Sequence, residues 1–214
     1  MSPIIISLKV TVTATALASL AGLFAAKQVV KLKRGRALAD GLLTLPMVLP
    51  PTVTGFLLLL IFGRNGLLGN FLFEVGFPVV FTLKGAVIAA AVVSFPLMYR
   101  AARGAFEALD PSLVEAARTL GCSEIYIFWK VIVPCCSHGV VSGMVLTFAR
   151  ALGEFGATSM LAGNMPGKTQ TMPLAIYSAV QGNHRESVYI WVAITAGISL
   201  VSIVLLNLIT RKDR

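Results

Sequence analysis

The sequence predicts an all-α integral membrane protein of about five transmembrane helices, organised as one domain over residues 1–214. Three observations carry this. Charged residues make up only 13% of the chain, where a soluble domain carries about a quarter, and 57% are hydrophobic, with a mean hydropathy of +0.85. The apolar residues gather into runs close to the roughly 20 residues that a helix needs to cross a bilayer. The 18 Lys and Arg against 9 Asp and Glu cluster at the ends of alternate runs. That distribution orients a membrane chain, and it does not form the continuous basic face of a nucleic-acid binder.

The spans are expected at about residues 4–30, 42–62, 83–102, 131–152 and 188–209. The first run differs from a cleaved signal peptide, in which positive charge precedes the apolar core. Here Lys27, Lys31, Lys33, Arg34 and Arg36 follow it. A retained helix with its N-terminus outside fits that order, with Lys9 snorkelling toward the outer surface. Alternation then places residues 31–41, residues 103–130 and the C-terminal tail inside. Twelve of the 18 basic residues fall on that side, counting Lys212 and Arg214 of the tail, and six fall outside. The bias favours this orientation over its inverse, with the C-terminus cytoplasmic.

Two outer segments are not simple polar loops. GLLGNFLFEVGFPVVF, residues 66–81, is apolar but interrupted, and it reads as interfacial. Residues 163–183 hold a cluster of turn residues and then a short helical run at 173–180. Irregular backbone at membrane depth is tolerated beside protein or a water-filled cavity. The segment is therefore either the outer mouth of a pathway or an amphipathic loop.

Inside the spans, Pro50 and Pro51 interrupt backbone hydrogen bonding and Thr52 follows. Ser94-Phe95-Pro96 repeats the theme. Each is either part of a path or gate, or a kink satisfied by neighbouring helices. Arg150 and Glu154, four apart, are expected to pair on a helix, in a functional or a structural role. Cys122, Cys135 and Cys136 match no metal or redox spacing, and His138 and His184 stand alone in sequence. No catalytic constellation, metal site or cofactor motif emerges.

The polar stretch EAARTLGCSEIYIFWKVIVP, residues 115–134, separates the third and fourth runs. Asp110-Pro111-Ser112 signals a helix start, and a Ser112 cap with Glu115 would form a capping box. Leu113, Ala116, Ala117 and Leu120 fall on one helical face. Gly121 stops the helix, and Ser123 is placed to cap a second one. The result is a cytoplasmic elbow at about residues 107–130, suited to docking a partner or to lying on the lipid surface.

The pattern Glu-Ala-Ala, three residues, Gly, then Pro thirteen positions on resembles the signature loop of ABC importer permeases. Glu115, Ala116, Ala117, Gly121 and Pro134 match it in register, with Val131 and Val133 at positions usually Ile and Leu. Residues 45–59, 92–110 and 148–180 look like the molybdate permeases of the oxyanion importers, and sulfate permeases share GEFGA and AGNMP. The resemblance implies a type I importer arrangement in the bacterial inner or plasma membrane. It implies that the elbow couples to a cytoplasmic ATPase, and that a periplasmic or extracellular binding protein selects the oxyanion: molybdate, or tungstate or sulfate in the alternative. The chain lacks a P-loop, because Ala162 stands where PGKT would need a glycine. ATP hydrolysis is therefore expected from two separate subunits. Five spans enclose a path poorly, so a homodimer about a two-fold axis is expected. A small membrane enzyme or a scaffold is the rival from another class, and the sparse acidic residues disfavour the enzyme.

Overall fold

The computed structural model describes residues 2–183 and 185–211, and every regular element among them is helical. His184, Lys212 and Arg214 lie outside the described residues.

Helix α1 (Pro3–Lys31) and helix α5 (Leu83–Glu107) are each long and apolar enough to cross a membrane. The second is five residues longer than the run read from sequence. Between them, the expected single span over 42–62 is two helices, α2 (Arg36–Val48) and α3 (Pro51–Phe62), bent by 110°. The cause is local. Leu49 and Pro50 are extended, and Pro51 takes the first helical position, where its missing N–H costs nothing. A short α4 (Gly69–Glu74) follows, with Leu67, Phe71 and Phe73 exposed around it.

The elbow is built from α6 (Pro111–Thr119) and α7 (Glu124–Ile127). A π-helical turn, Phe128–Ile132, and a one-turn helix α8 (Val133–Cys135) lead to α9 (Ser137–Leu152). The expected fourth span at 131–152 is thus bent, by 80° at Cys136. In the π turn Val133 N–H reaches back five residues to Phe128 O. Wider turns of this kind are frequent at functional sites. Beyond α9 come α10 (Gly156–Ala162), α11 (Met172–Gln181) and α12 (Arg185–Arg211). Helix α11 realises the short run expected at 173–180. The described apolar stretch of α12 is Val188–Val204.

The core is α1, α5 and α9, and α1 is patterned inside out. Ser7, Thr11, Thr15 and Ser19, at four-residue steps along one face, are buried. Leu8, Val12, Leu20 and Phe24 are exposed. Lipid is as apolar as leucine, so large side chains gain nothing by hiding from it, whereas small ones let backbones close in. The glycines show how close. A methyl placed on Gly22 of α1 would come 2.8 Å from Met98 Cγ and 3.0 Å from the Tyr99 backbone nitrogen. One on Gly139 or Gly143 of α9 would come 2.6 or 2.8 Å from the Ala105 or Ala101 methyl of α5.

The α5–α9 seam therefore has no room for added volume. Gly139→Val is expected to destabilise the protein by about 1–3 kcal/mol through overpacking. Gly41→Ala, where nothing lies within 4 Å, should be neutral or slightly stabilising. Thermal unfolding of the two variants in one detergent checks this, and equal melting temperatures would contradict it.

Candidate functional site

The elbow begins at Asp110, not Ser112. Asp110 Oδ1 accepts from the Ser112 backbone N–H at 2.9 Å, with Pro111 in the first turn. Ser112 is therefore inside the helix, and the expected capping box with Glu115 does not form. The hydrogen bonds from Ser112 hold the Asp110 carboxyl below its usual range.

At the other end Gly121 has φ +78°. Cys122 N–H donates to Ala117 O at 3.2 Å and Gly121 N–H to Arg118 O at 2.9 Å. This double closure needs a left-handed residue, and glycine supplies it without strain. Ser123 then caps α7, its Oγ accepting from Tyr126 N–H at 3.3 Å. Both the stop and the second cap agree with the expectation from sequence.

The face of α6 differs from the one expected. Ala117 is buried against the chain itself. Leu113, Ala116 and Leu120 point away, Leu120 at 82% exposure, and Glu115 is also exposed. Ile125 (72%) and Trp129 (48%) are exposed as well, and they line a groove with Leu20, Leu23 and Phe24 of α1. Pro134 is exposed in α8, where the chain turns toward α9.

Two charge networks fasten this side of the molecule. Glu124 Oε1 accepts from Arg118 Nε at 2.7 Å and Oε2 from Lys31 Nζ at 3.0 Å, joining the elbow to the end of α1. The hydrogen bonds from Arg118 and then Lys31 lower the Glu124 pKa to about 2. Glu124 is thus ionised throughout the physiological range. One turn back on α1, Lys27 Nζ lies 4.3 Å from the centre of the Phe128 ring. Second, Asp40 of α2 pairs with Arg103 and accepts from the Tyr99 hydroxyl, while Glu107 pairs with Arg103 and Arg36. Neither network was found by reading the sequence. A signal for the second existed: Asp40 is the one acid in the basic segment after the first span, and Arg103 and Glu107 are four apart.

The candidate path residues separate. Pro50 and Thr52 are exposed at the α2–α3 bend, with Pro51 beside them. Gly156 packs on that bend, since a methyl on it would lie 3.0 Å from Pro51 Cβ and 3.2 Å from Thr52 N. Glu154, two residues before Gly156, is buried at 2% exposure. Its Oε2 lies 2.7 Å from Arg150 Nη1, and its Oε1 accepts from Ala157 N–H at 2.8 Å. The expected Arg150–Glu154 pair therefore forms, although Glu154 sits past the end of α9. Ser94 is elsewhere. It is fully buried within the bundle, and its hydroxyl donates to Ala90 O at 2.7 Å. In this chain its side chain is spent within its own helix, two residues before Pro96.

Comparison with known proteins adds to this geometry. Residues 18–214 match the family described as binding-protein-dependent transport system inner membrane component. The chain is 45% identical to the molybdenum transport system permease protein ModB of Escherichia coli (strain K12), over 86% of this chain and 81% of that protein. It is 49% identical to ModB of Haemophilus influenzae, over 69% of this chain and 65% of that protein. Its fold is similar to that of a chain in the crystal structure of an amino acid ABC transporter, with a TM-score of 0.64 at 25% identity, covering 98% of this chain and 91% of that one.

Proposed function

This chain belongs to the family of binding-protein-dependent transport system inner membrane components, and we propose that it is the permease subunit of an ATP-driven importer for molybdate. The observation that carries this is the elbow. It matches the family's signature loop at five positions, is stopped by a left-handed Gly121, and exposes Leu113 and Leu120. The share of sequence held in common with molybdenum transport permeases supports molybdate as the cargo.

The division of labour follows from chemistry. A dianion must be hidden from lipid, yet tight binding on the way would trap it. The permease supplies a weakly binding path, two cytoplasmic subunits hydrolyse ATP, and an outer binding protein supplies selectivity. The permease itself catalyses no reaction. Two copies related by a two-fold axis enclose the path, which runs beside the Pro50–Thr52 bend and the neighbouring Glu154 segment. The N-terminus lies outside and the elbow inside. Glu115 and Ala116 meet the ATPase together with Leu120. Ala117, Gly121 and Pro134 act by holding the elbow's shape.

Three measurements test this reading. Leu120→Glu should abolish pull-down of the ATPase subunit while membrane insertion is kept. Gly121→Val, which strains the backbone by about 1–3 kcal/mol, should weaken the same pull-down. Full association by both would make the elbow a lipid-surface connector. Thr52→Trp should cut molybdate uptake by reconstituted vesicles without reducing complex assembly, and unchanged uptake would move the path elsewhere. In a background with all three cysteines replaced, Ser2→Cys should react with an impermeant thiol reagent from outside and Ser112→Cys should not. The opposite pattern would invert the orientation.

A further inference from the structure

The elbow has covalent routes to α5, through residues 108–110, and to α9, through the π turn and α8. It has none to α1. Helix α1 nevertheless packs along α5 and α9 and forms one wall of the core. Any displacement of the elbow reaches α1 only through contacts across space.

Those contacts are of two kinds: Phe128, at the end of the elbow, joins the apolar cluster of Leu23 and Ala26 of α1 and lies under Lys27, and an ion pair ties the first residue of α7 to the end of α1. Glu124 is the first residue of α7 and uses both carboxylate oxygens at once, one for Arg118 of α6 and one for Lys31 of α1. It thereby fixes the angle between the two halves of the elbow and ties both to a helix 93 residues away in the chain. Ile127 and Phe128 anchor the second half of the elbow in the core, but beneath the tie itself the packing is incomplete. A cavity of about 220 Å³ lies between Val30 of α1, Phe106 of α5, Val114 of α6 and Ile132 of the π turn, with Lys31, Arg118 and Glu124 also in its wall. A dry core there would hold the elbow by shape. At this end the bridging carboxylate holds the elbow by a directional link, and the void leaves room for movement. The participating side chains are about half exposed, so the link is accessible to screening by salt.

We propose that Glu124 is a positioning residue for transport, which transmits movement of the elbow to α1 through Lys31 while keeping α6 and α7 in register through Arg118. This rests on the reading of the elbow as the ATPase-coupling element. Glu124 adds a specific route by which that coupling reaches a helix the elbow is not joined to. Surface ion pairs contribute little to stability, so the effect belongs in coupling and not in folding.

The test uses the complete transporter, with its cognate ATPase subunits and binding protein, in vesicles. Three quantities are read for each variant: ATPase-subunit association, ATP hydrolysis, and molybdate taken up per ATP. Glu124→Gln and Lys31→Gln should each keep association and lower uptake per ATP several-fold. The double variant should be no worse than Glu124→Gln alone, because that change already removes the link to Lys31. Lys31→Arg, which keeps the charge, should restore most of the wild-type ratio. Raising ionic strength should lower the ratio in the wild type and leave it unchanged in Glu124→Gln. Wild-type uptake per ATP in both single variants, or additive losses in the double, would overturn the proposal. If Glu124→Gln fails to accumulate, Lys31→Gln decides alone, since its side chain lies on α1. Leu120→Glu serves as the control for the underlying reading. If it abolishes association while Glu124→Gln leaves the ratio intact, the coupling role stands and the link falls. If Leu120→Glu has no effect, the coupling role itself falls.

Discussion

Close approach of α1, α5 and α9 is the constraint from which the rest of the structure hangs. In lipid the exposure of leucine costs nothing, so a bundle cannot be held by hiding large side chains. It is held by contact density, and contact density rises when the residues between helices are small. Gly22 against Met98 and Tyr99, and Gly139 and Gly143 against Ala105 and Ala101, bring backbones to distances that a single added methyl would violate. The buried Ser and Thr steps on α1 serve the same geometry. Helix α5, gripped from both sides, becomes the rigid member of the fold.

A rigid centre makes it possible for the other elements to be irregular. The α2–α3 bend at Pro50 and the break between α9 and α10 around Glu154 are two interruptions of helix in a chain built for a membrane. Each leaves backbone groups without intrahelical partners, which is tolerated where protein covers them. Here the two breaks lie close together: Gly156 packs on Pro51 and Thr52, and the Glu154 carboxylate accepts from Ala157 N–H. Each break helps to cover the other. This is a physical reason for two short helices to occupy the place of one straight span.

Much of this was legible in the sequence, and the parts that were not share a cause. Run length and composition located α1 and α5, and the local chemistry of Asp110-Pro111, Gly121 and Ser123 marked where the elbow starts, bends and restarts. These are short-range signals, decided within a turn of helix. Hydropathy sums composition without direction, so the apolar run over 42–62 looked like one span although Pro50-Pro51 stood in its middle. The run from 131 looked straight although a π turn and a bend at Cys136 lay at its start. The elbow's face was misjudged because helical periodicity tells which residues share a side, not which side the rest of the chain will cover. Here Ala117 turned inward while Leu113, Ala116 and Leu120 did not. The pairing of Glu124 with Lys31 had no local trace at all.

The elbow follows a different rule from the spans. Within the bundle, small and hydroxyl-bearing side chains face inward and large apolar ones meet lipid. At the elbow Ile127 and Phe128 are buried, while Leu113 and Leu120 stand exposed beside the half-exposed Glu124–Arg118 pair. In water, a cluster of such apolar residues is unfavourable unless another surface covers it. A lipid surface and a protein groove are the two surfaces that could do so, and they demand different supports. A helix resting on lipid needs no fixed angle to the spans. An element that passes force needs one, and a charged tie to α1 together with an aromatic contact at Phe128 defines such an angle without filling the space behind it.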